Sequence, residues 1–124
     1  MNIPEHLYYT KEHEWIKFES ENAIIGITDF AQGELGDIIF VELPKEGTSF
    51  KSGESTGTIE AVKTVADIYT PIDGKVSAVN KNLENEPELI NKDPYETGWI
   101  IKLSNISKVN LEILTSSEYK KIIL

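Results

Sequence analysis

The chain has 124 residues, with 21 acidic side chains against 12 lysines, no arginine and a formal net charge of −9. That balance repels phosphate backbones and argues against a nucleic-acid partner, and no apolar run approaches the roughly 18 residues of a membrane-spanning helix. Cysteine is absent, which excludes disulfides, thiolate catalysis and Cys-ligated zinc, and His6 and His13 lack the helical spacing of a metal pair. The length suits one domain, residues 1–124. The opening "MNIPEHLYY" lacks the marks of a secretory signal or a transit peptide, so the chain is expected to be cytoplasmic or already mature.

Short segments between recurring turn signals point to an all-β body. "EWIKF" (14–18) alternates and leads through "ESEN" into "AIIGI" (23–27), a hairpin. "TDFAQGELG" (28–36) opens on a Thr/Asp cap and stops at Gly36, which predicts a short helix near 28–35. "DIIFVEL" (37–43) reads as a strand ending at Pro44, and 45–54 as a turn-rich connection. "STGTIEAV" (55–62) and "TVADIYT" (64–70) read as strands on either side of Lys63. "PIDG" (71–74) suits a type I turn, followed by a strand at 75–80. Residues 86–98 form a polar loop with one helical turn between Pro87 and Pro94, and "WIIKLS" (99–104) is a strand. "LTSSEYKKII" predicts a last helix near 115–123, with Thr115 and Glu118 in capping-box spacing and Lys120 and Lys121 toward its negative end. No strong repeat appears, although 53–62 and 74–80 both run from a glycine into a short strand. A compact β-sandwich or small barrel with helical additions is the expected architecture.

One residue breaks the pattern. A single strand across "TIEAVKTVADIYTP" (58–71) would turn Ile59, Ala61, Lys63 and Val65 to one face. An unpaired ammonium buried there costs several kcal/mol, about the loss typical of an uncompensated polar group. The strand is therefore expected to break at Val62-Lys63-Thr64 and expose the lysine on a turn. Three roles compete for such a lysine. It is a plain surface cation, or a Schiff-base lysine, which needs a desolvated pocket that a tip lacks, or an acceptor for covalent modification. The last requires protrusion and rigid flanks, and short strands on both sides supply them.

The stretch "GTIEAVKTVADIYTPIDGKV" (57–76) resembles the lipoyl-attachment region of the glycine cleavage H-protein family. The lysine follows Glu60-Ala61-Val62, an acid stands four residues on at Asp67, and a "P-I-x-G-x-V" run follows at Pro71 to Val76. Ala61 departs mildly from the serine common there. "YYTKEHEWIKFE" (8–19), "IGITDFAQGELGDIIFVELP" (25–44), "LINKDPYETGWIIKL" (89–103) and "EYKK" (118–121) extend the likeness over nearly the whole chain. Biotin carriers share the tip lysine but flank it with methionines, and the only methionine here is Met1. Lipoyl domains of 2-oxo acid dehydrogenases usually place Asp before the lysine and Ala after it.

The resemblance implies a mainly β barrel-sandwich hybrid of the lipoyl/biotinyl-carrier kind, with lipoic acid in amide linkage on Lys63. It implies a shuttle rather than an enzyme. Glycine decarboxylase, with pyridoxal phosphate, loads an aminomethyl group onto the arm. Aminomethyltransferase passes its carbon to tetrahydrofolate, and dihydrolipoamide dehydrogenase reoxidises the dithiol. A lipoate ligase or an octanoyl/lipoyl transferase attaches the arm, and Glu60 and Asp67 are expected to be read by that enzyme. Glu14, Asp67 and, more variably in the family, Glu12 are expected to form the cleft that holds the cargo amine, while His13 is expected to be structural. A lipoyl donor that relays lipoate to other complexes would have the same sequence features.

Overall fold

A computed structural model describes residues 1–109 and 111–124. In chain order the elements are β1 (Tyr8–Tyr9), β2 (Glu14–Glu19), β3 (Asn22–Ile27), α1 (Asp29–Leu35), β4 (Ile38–Glu42), β5 (Ser49–Phe50), β6 (Ser55–Ala61), β7 (Val65–Tyr69), β8 (Asp73–Val79), α2 (Asn82–Asn85), α3 (Leu89–Lys92), β9 (Ile101–Ser107) and α4 (Ser116–Ile123). The strands form two antiparallel sheets, β1-β2-β3-β9-β8-β5 and β4-β6-β7. This is the mainly β architecture expected of the sequence. Ile25, Val41, Ile59, Ile68, Val76 and Leu103 come from six strands of both sheets and meet in one core. Burying each such side chain is worth about 1.5–3 kcal/mol.

Local signals set both principal helices. Thr28 caps α1 by accepting from the Ala31 N–H, and Gly36 ends it at φ 80°. Thr115 and Glu118 form the expected capping box on α4, each side chain accepting from the other's backbone N–H. A second apolar cluster of Leu7, Tyr9, Trp15 and Tyr119 ties α4 to β1. There the Tyr9 and Tyr119 rings stack with centroids 4.8 Å apart.

Several elements differ from the sequence reading. Pro71 to Gly74 is a bend leading directly into β8, not a type I turn. The Thr70 hydroxyl donates to the Ile72 carbonyl (2.7 Å) and accepts from the Ile72 N–H (3.2 Å), which turns Ile72 into the core. Gly74 pairs with Phe50 inside the sheet. A Cβ there would meet Leu103 Cβ at 3.1 Å, so the glycine permits close packing and makes no turn. Gly53, by contrast, does sit in a turn at φ 90°, so the two glycine-to-strand runs are not equivalent. Strand β9 starts at Ile101 rather than Trp99 and runs on to Ser107. The two-residue strands β1 and β5 and the single turn α2 are too short to show a period, and the sequence did not reveal them.

Strand β4 carries an irregularity that matters below. Its register against β6 slips between Ile38 and Phe40. Ile38 and Val41 point into the core, while Ile39 and Phe40 are 52% and 51% exposed. A bulge inserts one extra residue and so lets two neighbours face solvent.

Candidate functional site

Lys63 stands at the tip of the β6–β7 hairpin. The strand breaks where the sequence requires it, after Ala61, and Val62 to Thr64 are all exposed. Two backbone bonds hold the tip: Ala61 N–H donates to the Thr64 carbonyl (2.8 Å), and Val62 N–H donates to the Asp37 carbonyl (3.0 Å). Neither Val62 nor Lys63 is among the residues with positive φ. The tip therefore needs no Gly, Asn or Asp, which such residues supply when left-handed backbone is required. The lysine stem lies along the start of β4. A Cβ added to Gly36 would stand 3.5 Å from Lys63 Cε. Among the described residues the one ion pair is Lys17–Glu19, so the Lys63 amine is both exposed and unpaired.

Near the base of the hairpin, along the edge of β7, lies a cleft of about 350 Å³ lined by Glu12, His13, Glu14, Phe30, Ala66 and Asp67 together with core isoleucines. Glu14 is its unusual member. It opens β2 and is only 4% exposed. The Thr10 hydroxyl donates to its Oε1 at 2.7 Å. Burial pushes its carboxyl from the ordinary 4.5 up to about 7, against the lowering effect of the Thr10 bond, and the charge of Glu12 adds to the rise. Asp67 lines the same cleft. Its carboxylate accepts from Ser55 Oγ (3.1 Å) and Tyr69 Oη (3.3 Å), and its charge raises the Tyr69 phenol. The arrangement can do one thing well. A cation entering the cleft would meet a carboxyl that ionises readily in its company, with three further acids, Glu12, Glu34 and Asp67, in the same lining. Glu12 and Glu14 also border a wider groove of about 950 Å³ that runs past Tyr69 and Pro71 to Leu114.

The glycine cleavage H-protein family model matches residues 7–124. The chain belongs to that family. It is 56% identical over 122 residues to the glycine cleavage system H protein of Listeria innocua, covering 98% of each chain. It is 51% identical over 121 residues to that of Bacillus cytotoxicus, covering 96% of this chain and 94% of the relative. The crystal structure of the H protein from Mycobacterium marinum superposes with a TM-score of 0.88 at 36% identity, over 96% of this chain and 97% of that one.

In this H-protein fold the cleft gathers Glu12, Glu14 and Asp67 but not Glu60. Glu60 pairs across the small sheet with Phe40 and Val65 and lies on its outer, exposed side. His13 takes a left-handed backbone (φ 68°), and its Nδ1 lies 2.8 Å from Tyr119 Oη. Tyr119 Oη is also 2.8 Å from the Thr28 hydroxyl, so α4 is latched to the start of α1 and to the turn that presents Glu14. Burial lowers the His13 pKa, against the opposing charges of Glu12 and Glu34. The sequence signalled neither Thr10 nor Tyr119 for this role, because their partners are distant or lie across a loop.

A third unsignalled residue supports the tip itself. Asn91 donates to the Gly36 carbonyl (2.8 Å) and to Gln32 Oε1 (3.0 Å), and it accepts from the Ile38 N–H (3.0 Å). It thus brackets Asp37, whose carbonyl anchors Val62. Asn91→Ala is expected to cost about 1–3 kcal/mol, the loss typical of orphaning partly buried backbone groups. Urea unfolding measures it, and an unchanged midpoint would mean that water replaces all three bonds.

Proposed function

We propose that this chain is a single-domain cytoplasmic carrier, not itself an enzyme, that bears lipoate in amide linkage on Lys63. It shuttles the aminomethyl group of glycine from pyridoxal-phosphate-dependent glycine decarboxylase to tetrahydrofolate-dependent aminomethyltransferase, with dihydrolipoamide dehydrogenase restoring the disulfide. The observation that carries the reading is the exposed, unpaired Lys63 amine on a braced hairpin in a chain of the H-protein family. Lipoate bound there supplies a redox-active dithiolane on a long flexible tether. The chain supplies the rest. Val62 and Asp37 hold the tether's root in place, which sets the effective concentration of its far end at each partner. The cleft offers Glu14, with Glu12 and Asp67, to a cargo ammonium, and Phe30 and the core isoleucines keep bulk water from one side of it.

The direct test is the intact mass of the chain after incubation with a lipoate ligase, followed by mapping of the modified peptide. A single lipoyl addition on the peptide containing Lys63 is the expected result. Addition elsewhere, or none, would overturn the reading.

Glu60 lies on the exposed face beside the tip, where a modifying enzyme reads charge. Rim charges act mainly on association rate and fade with salt. Glu60→Gln is expected to slow lipoylation several-fold at low ionic strength and little near 0.5 M salt, where the Debye length falls to about 4 Å. Equal rates for the variant and wild type at both salt levels would leave Glu60 an ordinary surface acid.

A further inference from the structure

The most exposed apolar side chains of the small sheet and its hairpin tip are not scattered, with Tyr69, less exposed at 38%, at the far end of β7. Val62 is 73% exposed, Val65 62%, Ile39 52% and Phe40 51%. Phe40, Glu60 and Val65 are successive partners across β4, β6 and β7, so they share the outer face of the sheet. Val62 is bonded to Asp37, immediately before β4. The four apolar residues therefore surround the root of Lys63. Nothing in the core requires this. The chain keeps Ile38 and Val41 buried and uses a bulge to turn both Ile39 and Phe40 outward, where a regular strand would have buried one of them.

The surroundings of the patch are acidic. Residues 29–42 and 55–69 hold Asp29, Glu34, Asp37, Glu42, Glu60 and Asp67, and their one cation is Lys63. An apolar centre with a charged rim is the usual build of a protein–protein contact, and the sign of the rim sets the sign required of the partner.

We propose that Ile39, Phe40, Val62 and Val65 form the docking surface for the enzyme that acylates Lys63, and that this enzyme presents an apolar contact bordered by lysines or arginines. The inference rests on the reading of Lys63 as the acceptor. It singles out the acylating enzyme for a geometric reason. Acylation takes place at the Lys63 amine itself, so the enzyme must enclose the tip and cover Val62 and Val65. A partner that works on the far end of a long tether has no such need.

The test compares wild type, Phe40→Ser, Ile39→Ser and Phe40→Leu as substrates of a purified lipoate ligase. Phe40→Ser is expected to lower kcat/KM about tenfold, as truncation of a central aromatic contact does, with most of the loss in KM. Ile39→Ser should lose several-fold, and Phe40→Leu should recover most of the rate. Unlike the effect of Glu60→Gln, these losses should persist at high salt. Two controls separate docking from other causes. Acetylation of Lys63 by a small amine-reactive ester should proceed equally in all four proteins, and reduction of the lipoylated forms by dihydrolipoamide dehydrogenase should be unchanged. Wild-type rates for both serine variants would overturn the proposal. A matching loss in the ester reaction would trace the effect to a displaced tip and overturn it as well. A matching loss with the dehydrogenase would assign the patch to a shared partner surface instead. Failure of wild type itself to be acylated at Lys63 would overturn the carrier reading, and is told apart because it needs no variant.

Discussion

Lys63→Arg is expected to abolish acylation by a lipoate ligase and to leave the fold intact. Arginine keeps the positive charge and much of the aliphatic stem, but its guanidinium stays protonated and delocalised and offers no free amine for an amide bond. The other eleven lysines provide internal controls, since none stands on a braced hairpin tip flanked by Glu60-Ala61-Val62 and Thr64. Stability should stay within about 0.5 kcal/mol of wild type, because the substituted side chain is exposed and unpaired. The two outcomes are read from intact mass and from urea unfolding. A full lipoyl mass gain on the arginine variant would remove Lys63 from its role. A large fall in stability would instead mean that the lysine stem over Gly36 contributes to the fold.

Glu14→Gln is expected to change both the pH dependence of stability and the retention of cargo. The carboxyl has a folded pKa of about 7 against an ordinary 4.5. The folded state therefore holds a proton that the unfolded chain has released between those values. Stability from this residue is fully present below pH 4.5, falls as pH rises to 7, and is constant above that. At about 1.4 kcal/mol per pKa unit the accumulated cost is on the order of 3 kcal/mol. Glutamine keeps the shape and cannot ionise. The variant should thus gain on wild type by up to about 3 kcal/mol as pH is raised from 4.5 to 8, in parallel unfolding series. Parallel curves for the two proteins would show that Glu14 ionises normally.

The cost has a functional counterpart. A buried carboxyl that is half protonated near neutral pH becomes fully ionised when an ammonium enters beside it. On the proposed carrier reading, cargo binding would then release a proton and relieve the unfavourable burial of a lone charge. Removing that charge lowers the pKa of the cargo amine and frees its lone pair to expel the thiolate. A partly screened pair of this kind is worth about 1 kcal/mol, or roughly fivefold in the held fraction. Loaded Glu14→Gln should therefore lose its aminomethyl group several-fold faster than wild type in the absence of the transferase, while still accepting lipoate. Mass decay measured side by side decides it. Identical decay would move the question to Asp67, which lines the same cleft.

The part of this protein legible in its sequence was local in origin. The caps of α1 and α4 each depend on residues three apart, Thr28 with Ala31 and Thr115 with Glu118, so sequence spacing carries them completely. The break at Lys63 followed from one charge in an apolar alternation, and solvent accounts for it without any distant partner. The β2–β3 hairpin and the strands around the tip were equally plain, because period-two alternation marks a half-buried strand. The tertiary structure decided whatever depends on residues far apart in the chain. Asn91 reaches Gly36 and Ile38 across more than fifty positions, Tyr119 reaches Thr28 across 91, and no spacing rule links such pairs. The bulge in β4 is of the same kind, since "IIFV" does not say which two residues face inward until β6 lies alongside. The raised pKa of Glu14 is the clearest case. The resemblance placed Glu14 in a cleft, but nothing in "EHEW" marks its carboxyl as perturbed, and only the closing of β2 against the core removes the water that would have kept its pKa ordinary.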